Sequence, residues 1–243
     1  AVVAFRGTMY LVNWIEDLHY YKTDSDYTEC ENQTRGESEE EQIGKDHRGS
    51  GFNSTLRKKC KVHSGFYNDW KSVRKDIIKA LDQILADYPL AQVWVTGHSL
   101  GGALAALCAL DLRATHLKDR EVGLYTFGEP RVGNPEFSDF FSEKLPTAYR
   151  LVHQDDIVPH LPPYGRDVLL LTNFHHHSTE VWQSGGKDDK YYVCNGSGED
   201  PKCSDSLPRW DRSVEAHRWY LQMHMSCDPD EKSQPRTDLE PLE

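Results

Sequence analysis

The chain has little positive charge for its size, with 28 lysines and arginines against 39 aspartates and glutamates in 243 residues. The resulting net charge of −11 argues against nucleic acid and anionic lipid surfaces as partners, although it leaves neutral lipid substrates open. No run of 18 apolar residues occurs, so the sequence predicts no transmembrane helix. These absences favour a globular protein with a small-molecule or lipid partner.

Cysteine is also scarce, with six residues and no C-x-x-C pair, which argues against a zinc site. Cys108 lies in an apolar segment and is predicted to be a buried free thiol. Cys194 and Cys203 flank a turn-rich segment that suits a small disulfide loop. Cys30 and Cys60 are predicted to form a disulfide across the polar insertion at residues 22–61.

Three N-glycosylation sequons, at Asn32, Asn53 and Asn195, lie in polar segments. Together with the expected disulfides, they favour an oxidising compartment and predict a secreted or secretory-pathway protein. The chain begins at Ala1 inside an apparent strand, which predicts that an N-terminal part of the natural protein precedes it.

The strongest motif is Gly97-His98-Ser99-Leu100-Gly101, which has the G-x-S-x-G form of a nucleophile elbow. An apolar, β-branched stretch precedes it at residues 91–96, and a strong helix-forming segment follows at residues 102–112. Strand, sharp turn and helix are the context in which such a serine is raised above a sheet, at the positive end of a helix. Ser99 is therefore the candidate nucleophile, and the N–H of Leu100 is a candidate oxyanion donor.

The other segments alternate between strand and helix patterns, which predicts an α/β fold with a largely parallel sheet. Predicted strands cover residues 1–6, 122–127, 148–153, 168–172 and 191–193. Predicted helices cover residues 11–20, 66–88, 137–145 and 214–225. One catalytic domain is expected over residues 1–227, with a polar surface insertion at 22–61 and a disordered tail at 228–243. Ligands of such sheets bind at the carboxyl ends of the strands, where Ser99 and Asp156 fall.

A serine nucleophile needs a histidine base and an acid that orients it. In α/β-hydrolases the chain order is serine, acid, histidine, which favours Asp156 as the acid and leaves Asp155 as the alternative. Spacing does not choose among the histidines that follow: His160, His175, His176, His177, His217 and His224.

Several motifs in order resemble the class 3 lipases, the fungal lipase and feruloyl esterase family of α/β-hydrolases. The resemblance spans roughly residues 1–227 and rests on residues 3–8, 13–14, 62–66, 97–105, 127–134, 156–163 and 216–220. It implies an α/β-hydrolase fold whose mostly parallel central sheet is flanked by helices. It also implies Asp156 as the acid and His217, in an Ala-His-x-x-Tyr motif, as the base.

The same resemblance assigns further roles. Thr8, which follows Phe-Arg-Gly, would be the second oxyanion donor, with a plain turn residue as the alternative. Leu11, Trp14 and Ile15 would belong to an interfacial lid, with an ordinary amphipathic helix packed on the body as the alternative. Cys227 would lack a partner, because its family counterpart lies near the N-terminus. His176 would have a structural or pocket-lining role.

These features predict a monomeric serine esterase, most of all a triacylglycerol lipase, that acts on lipid esters at a lipid–water interface without metal or cofactor. The segment at Phe127 to Pro130 and the Cys194–Cys203 loop also resemble the feruloyl esterase branch. A feruloyl-type esterase on plant cell-wall polysaccharide is therefore the first alternative. The second is an inactive, glycosylated binding protein on the same fold.

Overall fold

A central six-stranded sheet with helices packed against it dominates the described part of the chain. A computed structural model describes residues 1–8, 14–15, 18–27, 29–30, 59–164, 173–185 and 190–225. The strands are β1 Val2–Phe5, β2 Lys22–Asp24, β3 Lys61–His63, β4 Val93–His98, β5 Val122–Phe127, β6 Ala148–His153, β7 Glu180–Gln183, β8 Tyr191–Val193, β9 Trp219–Tyr220 and β10 Met223–His224. The α-helices are α1 Ser64–Asp87, α2 Leu100–Asp111, α3 Pro135–Lys144 and α4 Val214–His217.

The central sheet has the order β1-β4-β5-β6-β7-β8. Its first five strands are parallel, and β8 pairs antiparallel with β7 at the edge. Helix α2 connects β4 to β5 and α3 connects β5 to β6, as parallel strands require a crossover. The strand ends that precede Ser99, Gly128 and Gln154 therefore meet at one edge of the sheet.

Helix α2 is the centre of the core. It is apolar nearly all round, because it packs on β1, β4 and β5 with one side and against α1 with another. Cys108 is buried within it as a free thiol, as the apolar sequence predicts. The elbow serine is thus attached to one of the most buried helices of the chain.

Two predicted segments were wrong in detail. The predicted final helix at 214–225 ends after α4, and the chain turns into the β9–β10 hairpin because Leu221 and Gln222 adopt positive φ angles of 50° and 63°. The predicted insertion is not irregular throughout, since its two ends pair as strands β2 and β3. The predicted strand at 168–172, the tail at 228–243 and Cys227 lie outside the described residues.

Both predicted disulfides are confirmed. Cys30 bonds to Cys60, with 6.2 Å between their Cα atoms, and Cys194 bonds to Cys203 across nine residues. The bond between Cys30 and Cys60 closes the polar insertion at its base. Among the described residues, none of the helices combines the length and apolar character that a membrane span requires.

Candidate active site

Ser99 occupies the sharp turn between β4 and α2. Its backbone has φ 59° and ψ −130°, a sparsely populated region that costs about 1–3 kcal/mol and is held by the surrounding structure. The turn is so tight that a Cβ at Gly97 would lie 2.1 Å from the carbonyl oxygen of Gly101, so only glycine fits there. The Ser99 hydroxyl is buried and makes no hydrogen bond to any described group. This is the geometry that the elbow pattern predicts.

Asp156, just after β6, and His217, the last residue of α4, form a buried pair, with 0% and 1% of their surfaces exposed. Nδ1 of His217 lies 2.7 Å from Oδ2 of Asp156 and carries the proton, because a carboxylate only accepts. The other carboxylate oxygen accepts from the N–H of Val158 at 2.8 Å. Nε2 of His217 makes no hydrogen bond to any described group, so it is available to accept a proton.

The alternatives to this pair are engaged elsewhere. Asp155 lies beside Asp156 but is only half-buried, and its main-chain oxygen accepts from Ser213 at 2.8 Å. The three consecutive histidines point to separate partners: His175 lies near Ser138, His176 bonds the carbonyl of Pro159, and His177 bonds Glu129. Burial lowers the pKa of His176 well below its usual range, with Arg150 contributing, so this ring is neutral. The three rings diverge, as expected for adjacent residues.

Tyr220 completes the surroundings of the acid, a role that the sequence pattern does not predict. Its hydroxyl donates to Oδ2 of Asp156 at 2.5 Å and accepts from the N–H of His153 at 3.3 Å. Burial and the nearby Asp156 raise the pKa of Tyr220 well above its usual range, so the hydroxyl stays protonated and remains a donor. The sequence feature that could have indicated this role is the position of Tyr220 three residues after His217, on the same short segment.

Gly128, directly after β5, is a second residue at the site whose role the sequence pattern does not predict. Its φ of 58° favours glycine. A Cβ at this position would lie 2.6 Å from Cε1 of His217 and 2.8 Å from Oδ2 of Asp156. Glycine here makes room for the acid–base pair.

The segment that leaves β1 runs alongside the elbow, because Phe5 pairs with Gly97 across the sheet. A Cβ at Gly7 would lie 3.2 Å from Cβ of Ser99, so the main chain just before Thr8 touches the candidate nucleophile. Leu100 is the first residue of α2, where N–H groups have no acceptor within the helix. Leu100 therefore follows Ser99 directly in the chain, and Thr8 follows Gly7, which packs on Ser99.

The predicted lid falls only partly within the described residues. Trp14 and Ile15 have helical backbone and are half-buried, whereas Leu11 lies outside the described residues. The Trp14 ring stacks on Phe66 of α1, with centroids 6.2 Å apart and planes 19° from parallel. Trp14 thus packs on helix α1 and against the hydrophobic core.

A buried ion pair supports the loop that follows the acid. Arg131 binds Glu199 with two hydrogen bonds of 2.7 Å, and its guanidinium also donates to the carbonyl of Pro162 at 3.0 Å. Glu199 lies in the Cys194–Cys203 loop, so this disulfide loop is tied to the acid loop. The nearby carboxylate of Glu180 lies close to both sulfurs, but these are joined in the disulfide and offer no thiolate to a metal.

A mostly parallel sheet with a serine elbow after one strand and a buried acid and histidine beyond later strands defines an α/β-hydrolase. A family model described as lipase (class 3) matches residues 2–165. This chain belongs to the class 3 lipase family.

Relatives and solved structures agree with this membership. A secreted mono- and diacylglycerol lipase of Fusarium solani is 36% identical over 176 residues, which cover 70% of this chain and 49% of the relative. The solved triacylglyceride lipase of Rhizomucor miehei superposes with a TM-score of 0.71 at 30% identity, covering 92% of this chain and 72% of that one. Another solved structure is described as a triacylglycerol lipase whose catalytic centre is formed by a serine protease triad. It is 32% identical, with a TM-score of 0.68, and covers 91% of this chain and 71% of that one. The chain spans about half the length of the Fusarium relative.

Proposed function

We propose that this chain is a serine esterase that hydrolyses carboxylic esters of lipids, with triacylglycerol as its main substrate class. The observation that carries the proposal is the buried Asp156–His217 pair at the strand ends next to the Ser99 elbow. Family membership supports the reaction class, and the solved lipases of similar fold support the lipid substrate.

Acylation begins when Oγ of Ser99 attacks the ester carbonyl carbon. Nε2 of His217 takes the serine proton, and Asp156 holds the opposite ring nitrogen and stabilises the imidazolium. The N–H of Leu100 and the N–H and hydroxyl of Thr8 donate hydrogen bonds to the carbonyl oxygen and stabilise the negative charge that develops on it. The imidazolium then protonates the leaving alkoxide, which departs as an alcohol.

Deacylation repeats the same steps with water as the nucleophile. His217 removes a proton from water as its oxygen attacks the carbonyl carbon of the acyl-enzyme. The tetrahedral intermediate then collapses: the bond to Oγ of Ser99 breaks, the imidazolium returns the proton to Oγ, and the fatty acid leaves. No step requires a metal or a cofactor. The chemistry is shared by esterases of many substrates, so the choice of lipid depends on what approaches the site.

The lipid–water interface is proposed as the place of action. Trp14 and Ile15 lie on the segment that follows Thr8, and Trp14 packs on Phe66 instead of extending into solvent. Rearrangement of this segment at a lipid surface would expose its apolar side chains to the lipid and uncover the site.

Turnover of a long-chain triacylglycerol emulsion and of methyl ferulate by one purified sample tests the substrate class. We expect fast release of fatty acid from the emulsion, a rate that rises when triacylglycerol exceeds its solubility, and slow hydrolysis of the ferulate. The opposite ranking would assign the chain to the feruloyl branch. Absence of stoichiometric labelling of Ser99 by an active-site phosphonate would instead indicate an inactive binding protein.

A secretory location is proposed from the two disulfides and from the sequon at Asn195. Asn195 is exposed, and its Oδ1 accepts from the N–H of Ser197 at 2.9 Å. We expect enzyme secreted by a eukaryotic host to carry a glycan on Asn195, detected by peptide mass spectrometry, and Asn195→Gln to lose it. An unmodified Asn195 in the secreted enzyme would contradict this prediction.

A further inference from the structure

Two histidines at the ends of β4 and β6 hold consecutive carbonyl oxygens of helix α4. Nε2 of His98 lies 2.8 Å from the carbonyl oxygen of His217, and Nδ1 of His153 lies 2.8 Å from that of Ala216. A carbonyl oxygen only accepts, so each of these ring nitrogens carries a proton. The two rings thus donate to the main chain of the segment that presents the base.

Helix α4 depends on such external contacts. It has four residues, begins with the Ser213 side chain as its cap, and gives way to the β9–β10 hairpin directly after Arg218. A helix of one turn is not stable on its own, because the free-energy cost of nucleating it exceeds the stabilisation that one turn of hydrogen bonds provides. The position of His217 is therefore set by what its backbone touches.

His98 contacts both the base and the segment that leads to Thr8, and it directly precedes the candidate nucleophile. Its ring lies 4.3 Å from the ring of His217, centroid to centroid, and its backbone continues directly into Ser99. A Cβ at Gly7 would lie 3.4 Å from its Nδ1, so the segment leading to Thr8 packs on the other edge of the ring. Tyr220 contacts both His98 and His153, with ring centroids 5.7 Å away in each case.

His98 is uncharged at neutral pH, which suits its position next to the base His217. Burial, with a further contribution from His217, lowers the pKa of His98 to about 4, although Asp156 and the His217 carbonyl act in the other direction. Tyr220, whose ring also contacts His98, stays protonated because burial and Asp156 raise its pKa well above the usual range. At neutral pH the His98 ring is uncharged and does not repel the imidazolium that forms on His217 during acylation.

We propose that His98 and His153 are positioning residues that clamp the main chain of α4 and so hold His217 in line between Asp156 and Ser99. This inference rests on the proposed esterase function. The clamp acts through two backbone hydrogen bonds, whereas Asp156 orients the ring itself. Loss of either donor would let α4 shift, and a misplacement of about 1 Å can cost about 100-fold in rate.

Variants that differ only in the donor test the clamp. In glutamine the amide nitrogen is as many bonds from Cα as Nε2 is in histidine, and in asparagine the amide nitrogen matches Nδ1. We expect His98→Leu and His153→Leu to lower kcat on a soluble short-chain ester by about 10- to 100-fold, with KM changed less than about twofold. His98→Gln and His153→Asn should recover most of the lost kcat.

Rates are taken per phosphonate-titrated site, so only folded enzyme counts, and methionine replaces leucine at either position if the leucine variant does not fold. His116→Leu, which removes a surface histidine bonded to Asp82, serves as the control and should keep wild-type kcat. The clamp would be overturned if His98→Leu and His153→Leu keep the wild-type kcat, or if neither His98→Gln nor His153→Asn restores the kcat that the leucine variants lose. An inactive wild type would refute the esterase proposal itself, since the clamp variants are then not at fault.

Discussion

Replacing Ser99 with alanine is expected to lower ester turnover by about 10⁴- to 10⁶-fold, and His217→Ala should lower it to a similar level. The two residues act as one unit, because the hydroxyl is a weak nucleophile until Nε2 of His217 accepts its proton. The double variant should therefore be little worse than either single variant. Initial rates on a soluble ester, at enzyme concentrations set by folded protein, measure both effects.

Asp156→Asn should cost about 10⁴-fold while leaving the fold intact. The asparagine keeps the size of the carboxylate, but its amide no longer offers two acceptor oxygens to the groups around it. These groups are the Nδ1–H of His217, the hydroxyl of Tyr220 and the N–H of Val158. His217 is then stabilised in the wrong tautomer, with Nε2 protonated and unable to accept from Ser99.

His176→Ala is the matched control for the base assignment. His176 is as buried as His217, but its Nε2 bonds the carbonyl of Pro159 and its ring is kept neutral by burial. We expect this variant to lose stability and to keep most of its turnover per folded molecule. An inactive His176→Ala together with an active His217→Ala would show that the base was assigned wrongly.

Much of the site could be predicted because it depends on local chemistry. The elbow requires small residues at Gly97 and Gly101, an apolar strand before them and a helix after them, and all three are visible in sequence. Asp156 follows a strand whose end had to meet the end of β4 in a parallel sheet. Its position at the same edge of the sheet as Ser99 was therefore predictable from the sequence.

Other parts depend on packing that the sequence does not express. Spacing left six histidines open as the base, and only the family resemblance chose His217 before its contact with Asp156 was known. The segment after His217 has a helical pattern, yet the chain reverses at Leu221 and Gln222, which no glycine or proline marks. The chain has already left the helix before the reversal, and Tyr220 contacts the acid from strand β9, which a continued helix did not predict.

The clamp histidines illustrate the same limit. His98 and His153 are separated by more than fifty residues, and each falls at a strand end where a polar side chain has many uses. Their common partner, the backbone of α4, becomes apparent only when β4, β5 and β6 are laid side by side. Every residue carries a main-chain carbonyl, so the residue type does not indicate which carbonyl accepts a hydrogen bond. Sequence patterns therefore do not predict such contacts.

Thr8→Val is expected to lower kcat by about 10²- to 10³-fold if the Thr8 hydroxyl donates to the oxyanion. Valine keeps the shape and the backbone N–H but removes one donor. KM should change little, because the full negative charge exists only in the transition state. Burst titration with a slowly deacylating ester gives the number of active sites, and steady-state rates divided by that number give kcat.

Thr8→Ser separates this role from that of a turn residue. Serine keeps the hydroxyl, so it should retain most of the turnover that valine loses, even though it lacks the methyl group of threonine. A residue that only shapes the turn would behave differently: both variants would lose stability, measured by thermal unfolding, and both would keep near-normal kcat per titrated site. That outcome would leave the backbone N–H of Thr8, with that of Leu100, as the donors to the oxyanion.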